Sequence, residues 1–240
     1  MKFLKTDRLY CFSPPVMIAT FAIEIICAVY VVIRYKLTPV TRLAAALLVC
    51  LALFQLAEYN VCEGAWGMDS LAWARLGYVA ITLLPPLGLH LVMQMTGKYN
   101  RLLLGVAYAS AAIFAYIFLF VGQGMTSQQC LGNYVIFRVA PWASFPYGIY
   151  YYGWLFATIG YALRCARNIA ARNVRQALYV LSIGYAAFIV PTTAANLIDP
   201  STRAGIPSIM CGFAVILALL LTGAVLPQYY RKGKGKSKKA

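Results

Sequence analysis

The chain is short of charge. Only 11% of its 240 residues are Asp, Glu, Lys or Arg, against about 25% in a soluble domain. It has a single histidine, His90. The first shortage argues against a soluble domain. The second leaves no His and Cys grouping at metal-ligand spacing, so no metal and no cofactor is expected. Other absences narrow the choice. There is no Walker loop, no dinucleotide fingerprint and no HExxH, and no Cys-x-x-Cys pair among the seven cysteines. The last apolar stretch has no lysine, which excludes a retinal Schiff base there. No segment between apolar stretches is long enough for a catalytic domain, and the polar groups make no Ser-His-Asp set. The expectation is a protein that is not an enzyme.

What the chain has is apolar surface. Hydrophobic residues make up 62% of it, gathered into seven stretches of about 20 residues, the length that crosses a hydrocarbon core. Lipid offers the backbone no hydrogen bonds, so such stretches are helices. The expected fold is all-α, a seven-transmembrane-helix bundle with helices near 15–33, 43–59, 73–97, 102–121, 146–163, 177–197 and 206–226. Residues 1–14 form a short extracytoplasmic N-terminus, 15–227 the membrane domain and 228–240 a basic tail. No small-residue cleavage pattern follows the first stretch, which reads as a retained helix. Residues 122–145 are expected to be the longest internal loop.

The net charge of +15 invites a nucleic-acid reading. The basic residues, however, sit in short hairpins and in the tail, as they do beside anionic lipid. Fifteen of the 21 Lys and Arg fall on one side: Arg34, Lys36, Arg42, Lys98, Arg101, Arg164, Arg167, Arg172, Arg175 and the tail. That places the C-terminus in the cytoplasm and the N-terminus outside, although Lys2, Lys5 and Arg8 pull the other way. Membrane lipids are the expected partners, and nucleic acid is not.

Polar groups inside lipid are costly and mark candidate sites. Glu24 falls mid-helix and is either a ligand contact, a proton-linked switch or an interhelical hydrogen bond. Glu58 and Arg75 sit just inside neighbouring span ends, where they form a pair or stand as ordinary headgroup-level residues. His90 follows Pro85 and Pro86, which weaken the third helix. It is either a pH sensor or a neutral buried histidine on a backbone carbonyl. Tyr147, Tyr151 and Trp154 share a helix face by three-to-four spacing; they line an outward pocket or belong to the interfacial aromatic belt. Asn196 closes a polar, bendable section with Pro191, Thr192 and Thr193. Cys62 and Cys130 are one of three possible disulfide pairings among the outer cysteines, the third being Cys11. Arg231, Lys232, Lys234, Lys236, Lys238 and Lys239 contact anionic lipid or a cytoplasmic partner, or serve only to fix topology.

The run from Trp73 to Gly97, WARLGYVAITLLPPLGLHLVMQMTG, carries a resemblance. Its Trp73, Arg75, Leu76, Gly77, double proline Pro85–Pro86 and His90 resemble the N-terminal seven-helix sensor region of a group of bacterial histidine kinases. Glu58 before the short outer loop, and the run PTTAANL from Pro191 to Leu197, are also similar to that region. The resemblance implies a seven-helix fold in a bacterial inner membrane and a sensory role, with the signal passed to cytoplasmic output domains. This sequence ends about a dozen residues after its seventh helix, so the expected output is a separate protein partner.

The first reading is therefore a receptor-like module binding a small or lipidic ligand, or a partner protein, between helices two, three, five and six. One alternative is an accessory or structural subunit of a multiprotein membrane complex. The other is a small transporter, which the sparse intramembrane charge disfavours.

Overall fold

Seven helical rods run alternately up and down, and the third lies at their centre. A computed structural model describes residues 14–64, 67–122, 124–130, 135–199 and 205–231, without the side chains of 126–130 and 136. The rods are α1 (Pro14–Arg34), α2 (Pro39–Glu63), α3 (Ser70–Thr82) continued as α4 (Leu84–Thr96), and α5 (Arg101–Phe120). Then come α6 (Pro141–Asn168), α7 (Arg172–Ile198), and α8 (Ile206–Leu220) continued through a π-helical turn (Leu221–Val225) into α9 (Leu226–Tyr230). Six of the rods are long and apolar enough to cross a membrane. The chain is an all-α, multi-spanning integral membrane protein. The rod outside that six is α6, whose tyrosines and arginines dilute its apolar character.

Local sequence sets the ends. Thr38 accepts from the Thr41 amide at 3.3 Å with Pro39 following it, a usual helix start. Asp69 caps α3 and Asn100 caps α5, each accepting an amide at 3.0 Å. Gly64 closes α2 at φ 66°, a conformation that costs a residue with a Cβ.

Rod three touches α2, α5, α6 and α7. In its most apolar window 72% of residues are buried, against 17% for α5, so it is the core helix and α5 the outermost. Gly77 permits the α2–α3 contact: a Cβ there would stand 2.9 Å from the Ala57 Cβ. Outward faces keep large apolar groups such as Ile113, Tyr116 and Phe120 on α5 and Phe145, Ile149 and Phe156 on α6. In water such faces would be anomalous; in lipid they are the solvated surface.

Residues 122–145 are not simply a loop. They contain an antiparallel hairpin, β1 (Met125–Cys130) and β2 (Val135–Val139), with a bulge between Met125 and Ser127. In β2, Val135 and Phe137 are buried and Arg138 is exposed, the two-residue alternation of a half-buried strand. Phe137 packs on Phe54 and Tyr78, with ring centroids 5.8 and 5.3 Å away. The hairpin thereby covers the end of the bundle where α2 stops and α3 begins. The fifth helix also starts earlier than expected, at Pro141, a residue suited to a first helical position.

Candidate functional site

The two prolines of rod three create the site's framework. Pro86 has no amide hydrogen to give the Thr82 carbonyl, and Pro85 none for Ile81. The rod breaks at Leu83. The freed Thr82 carbonyl accepts instead from the Tyr150 hydroxyl of α6 at 2.5 Å. The Thr82 hydroxyl donates to the Tyr78 carbonyl at 2.6 Å, so the Tyr147 hydroxyl, 3.0 Å away, donates to it. Two tyrosines of α6 therefore satisfy what the break exposes, as an apolar surrounding requires. Their rings join Tyr78, Phe114 and Phe118 in one aromatic cluster, with centroids 4.9 Å apart for Phe114–Tyr150 and 5.0 Å for Phe118–Tyr147.

Beside this cluster lies a cavity of about 520 Å³, within the usual range for small-molecule sites. Its walls come from α3 (Tyr78, Ile81), β2 (Phe137, Arg138, Val139), α6 (Ser144, Tyr147, Tyr151, Tyr152) and α8 (Ile206, Pro207, Met210, Cys211). It opens between rods three, five and seven under the hairpin, where the sequence placed it between rods two, three, five and six. The seventh rod enters because α1 also contacts α8, closing the bundle into a ring.

Of the residues expected to line a pocket, Tyr147 and Tyr151 do so. Trp154 turns away: its indole donates to Ser110 on α5 at 3.1 Å, and its ring packs on the Leu89, Met93 and Ala107 cluster. One further helical step carries it from the cavity wall to the α5 seam. His90 is also in the α4–α5 seam, its Nδ1 3.1 Å from the Tyr108 hydroxyl and its ring edge-on to Tyr99 and Tyr108. Its partner is that hydroxyl and not the expected backbone carbonyl. Asn196 is half-buried on α7 and is not among the lining residues.

Glu58 and Arg75 form no ion pair among the described residues. The Glu58 carboxyl meets the Ser208 hydroxyl of α8, and Ser208 accepts from the Val135 amide of β2 at 3.2 Å. The chain Glu58–Ser208–Val135 links α2, α8 and the hairpin just behind Cys211. Arg75 stays half-buried with its Nε unpartnered. Glu24 is fully buried in α1, and neither of its oxygens has a hydrogen-bond partner among the described residues. The expected interhelical hydrogen bond is therefore not formed.

Cys62 is disulfide-bonded, while Cys27, Cys50, Cys165 and Cys211 are free. Cys11 and the Cys130 side chain lie outside the described residues, as do Lys232, Lys234, Lys236, Lys238 and Lys239. No group of three or more His, Cys, Asp or Glu placed to hold a metal occurs among the described residues.

A second constellation was missed from sequence. The Tyr230 hydroxyl at the end of α9 meets the hydroxyls of Thr38 and Thr41, the latter at 2.6 Å. Its ring stacks on Tyr35 at 5.1 Å. Asn173 at the start of α7 donates to the carbonyls of Tyr229 and Arg231 at 3.1 and 3.3 Å. Rod seven thus runs from the cavity wall to a clamp at the opposite end, just before the basic tail. The only sequence signal for it was the Tyr229–Tyr230 pair after Pro227. Compared with known proteins, the chain matches no family model and no curated protein.

Proposed function

We propose that the chain is a non-enzymatic, receptor-like sensory module of a bacterial inner membrane. It binds a small or lipidic ligand in the hairpin-end cavity, which faces outward, and signals through a separate protein at the cytoplasmic end. The observation carrying this reading is that one residue, Tyr147, both lines the cavity and bonds the proline break at Thr82. A ligand pressing on Tyr147 acts on the hinge of the central rod, and one contacting Met210 or Cys211 acts on the rod that ends in the tail clamp. The resemblance to histidine-kinase sensor regions agrees in kind, because the resembling residues include both prolines and His90. The role of an accessory subunit in a larger membrane complex is the second reading, favoured by the almost bare face of α5.

Gentle detergent purification followed by native mass spectrometry separates them. A monomer carrying one stoichiometric small molecule is the expected result. A fixed multiprotein assembly whose bundle holds nothing would overturn the receptor reading in favour of the subunit.

A further inference from the structure

We propose that the lipid-facing side of α6 holds one anionic phospholipid of the bilayer, its phosphate at Arg164 and Arg167 and an acyl chain along the helix. This site lies at the opposite end of the bundle from the hairpin-end cavity, and neither reading depends on the other.

A recess of about 450 Å³ opens on α6 among Gly160, Leu163, Arg164, Arg167 and Asn168. Both arginines are exposed. The Asn168 side-chain amide donates to the Arg164 carbonyl at 3.1 Å, so the recess offers an anion chiefly its two guanidiniums. A guanidinium meets phosphate oxygens through paired N–H donors. The C-terminal end of α6 carries about half a negative charge, less than the two guanidiniums supply, so an anion there still meets net positive charge.

The protein places no carboxylate of its own near them. It has six Asp and Glu in all. Glu24 and Glu58 are buried within the bundle. Glu63 and Asp69 lie where α2 stops and α3 begins, and Asp199 follows α7 at that same end. Asp7 lies outside the described residues. The end where α6 stops and α7 begins therefore has cations and no carboxylate among the described residues. Its counter-charge comes from outside the chain.

The face leading away from the recess says what kind of anion this is. By the 3.6-residue turn, Ile149, Phe156, Gly160 and Arg167 fall within about 40° of one another around α6. Ile149 and Phe156 are 61% and 56% exposed, and a Cβ at Gly153 or Gly160 would meet nothing within 4 Å. The glycines leave a shallow track beside those two side chains. From Ile149 to Gly160 the helix rises about 16 Å at 1.5 Å per residue, close to one leaflet's hydrocarbon depth of about 15 Å. An acyl chain lying in the track ends where its phosphate reaches the arginines. A soluble anion would use the arginines and leave the track unused.

The test uses the full-length chain in detergent at about pH 7, where guanidinium and phosphodiester are both charged. Native mass spectrometry follows titration with phosphatidylglycerol and with phosphatidylcholine of the same acyl chains. Phosphatidylglycerol is expected to give one saturable adduct about tenfold tighter than phosphatidylcholine. R164Q/R167Q is expected to remove most of that preference. R34Q/K36Q removes the same charge at exposed positions of the α1–α2 turn and is expected to keep it. G160W leaves every charge in place, fills the recess and is expected to weaken the adduct. An equal loss in R34Q/K36Q would show attraction by net charge alone and overturn the site, as would undiminished binding in R164Q/R167Q or G160W. Glycerol 1-phosphate, a head without chains, is expected to displace nothing; displacement at concentrations like the lipid's would assign the arginines to a soluble phosphate and overturn the lipid. A dimer that R164Q/R167Q dissociates would give the face to a second copy and overturn it as well.

Discussion

Tyr150 stands where a backbone amide would otherwise be. Its hydroxyl at 2.5 Å from the Thr82 carbonyl replaces the hydrogen that Pro86 lacks. Removing it leaves a buried carbonyl unpaired, which costs about 1–3 kcal/mol. Y150F is therefore expected to lower the thermal unfolding temperature in detergent, whereas Y152F is expected to leave it unchanged, since no hydrogen bond of the Tyr152 hydroxyl holds the break. Gly77 makes the complementary point about volume. Its absent side chain lets α3 approach Ala57 and Phe54. G77A forces a Cβ into a 2.9 Å contact and is expected to cost about 1–3 kcal/mol through overpacking, read as a fall in the same unfolding temperature. The pairing Glu58–Arg75, legible as opposite charges at neighbouring span ends, fails at this scale. Ser208, 150 positions along the chain from Glu58, was invisible as a partner until the seventh rod packed against the second.

At the scale of elements, rod three is two helices with a repaired joint. P86A restores an amide able to reach the Thr82 carbonyl, and this competes with Tyr150. In a double-mutant cycle, Y150F is expected to cost at least about 1 kcal/mol less in the P86A background than in the parent; equal costs in both would sink the proposed replacement. The hairpin is the second element at issue. It covers the bundle end by burying Val135 and Phe137, and Cys62 at the end of α2 is disulfide-bonded. The expected partner is Cys130, at the end of β1. Non-reducing proteolysis and mass mapping is expected to yield a peptide joining Cys62 to Cys130; a Cys62–Cys11 peptide would refute that pairing.

Across the whole molecule, burial falls from the central rod to the α5 face, as in a bundle that lipid surrounds. The cavity and the tail clamp sit at opposite ends of rod seven. Y230F removes the hydroxyl shared with Thr38 and Thr41, and is expected to raise hydrogen exchange at 226–231 while leaving the aromatic cluster around Thr82 protected. Unchanged exchange would show that the clamp does not hold the tail. With the arginine-rich hairpin and the basic tail on one side of the bundle, a reporter fused after Ala240 is expected to be active only in the cytoplasm. Activity on the external face alone would invert the cavity and the clamp together.

Seven helical spans, the weakened third rod and the shared helix face of Tyr147 and Tyr151 were legible in the order of residues. Each depends on local chemistry: the apolar run length, the amide that proline lacks, and helical spacing. The hairpin escaped because six and five residues are too few for alternation to stand out within a polar stretch. What covers Thr82, where Trp154 and His90 point, which rod completes the cavity wall and what meets Glu58 were decided only by tertiary packing. These are contacts between residues far apart in the chain, and in lipid every span is apolar on nearly every side. Hydrophobic pattern therefore says that a helix crosses the membrane, but not which face it turns to its neighbours.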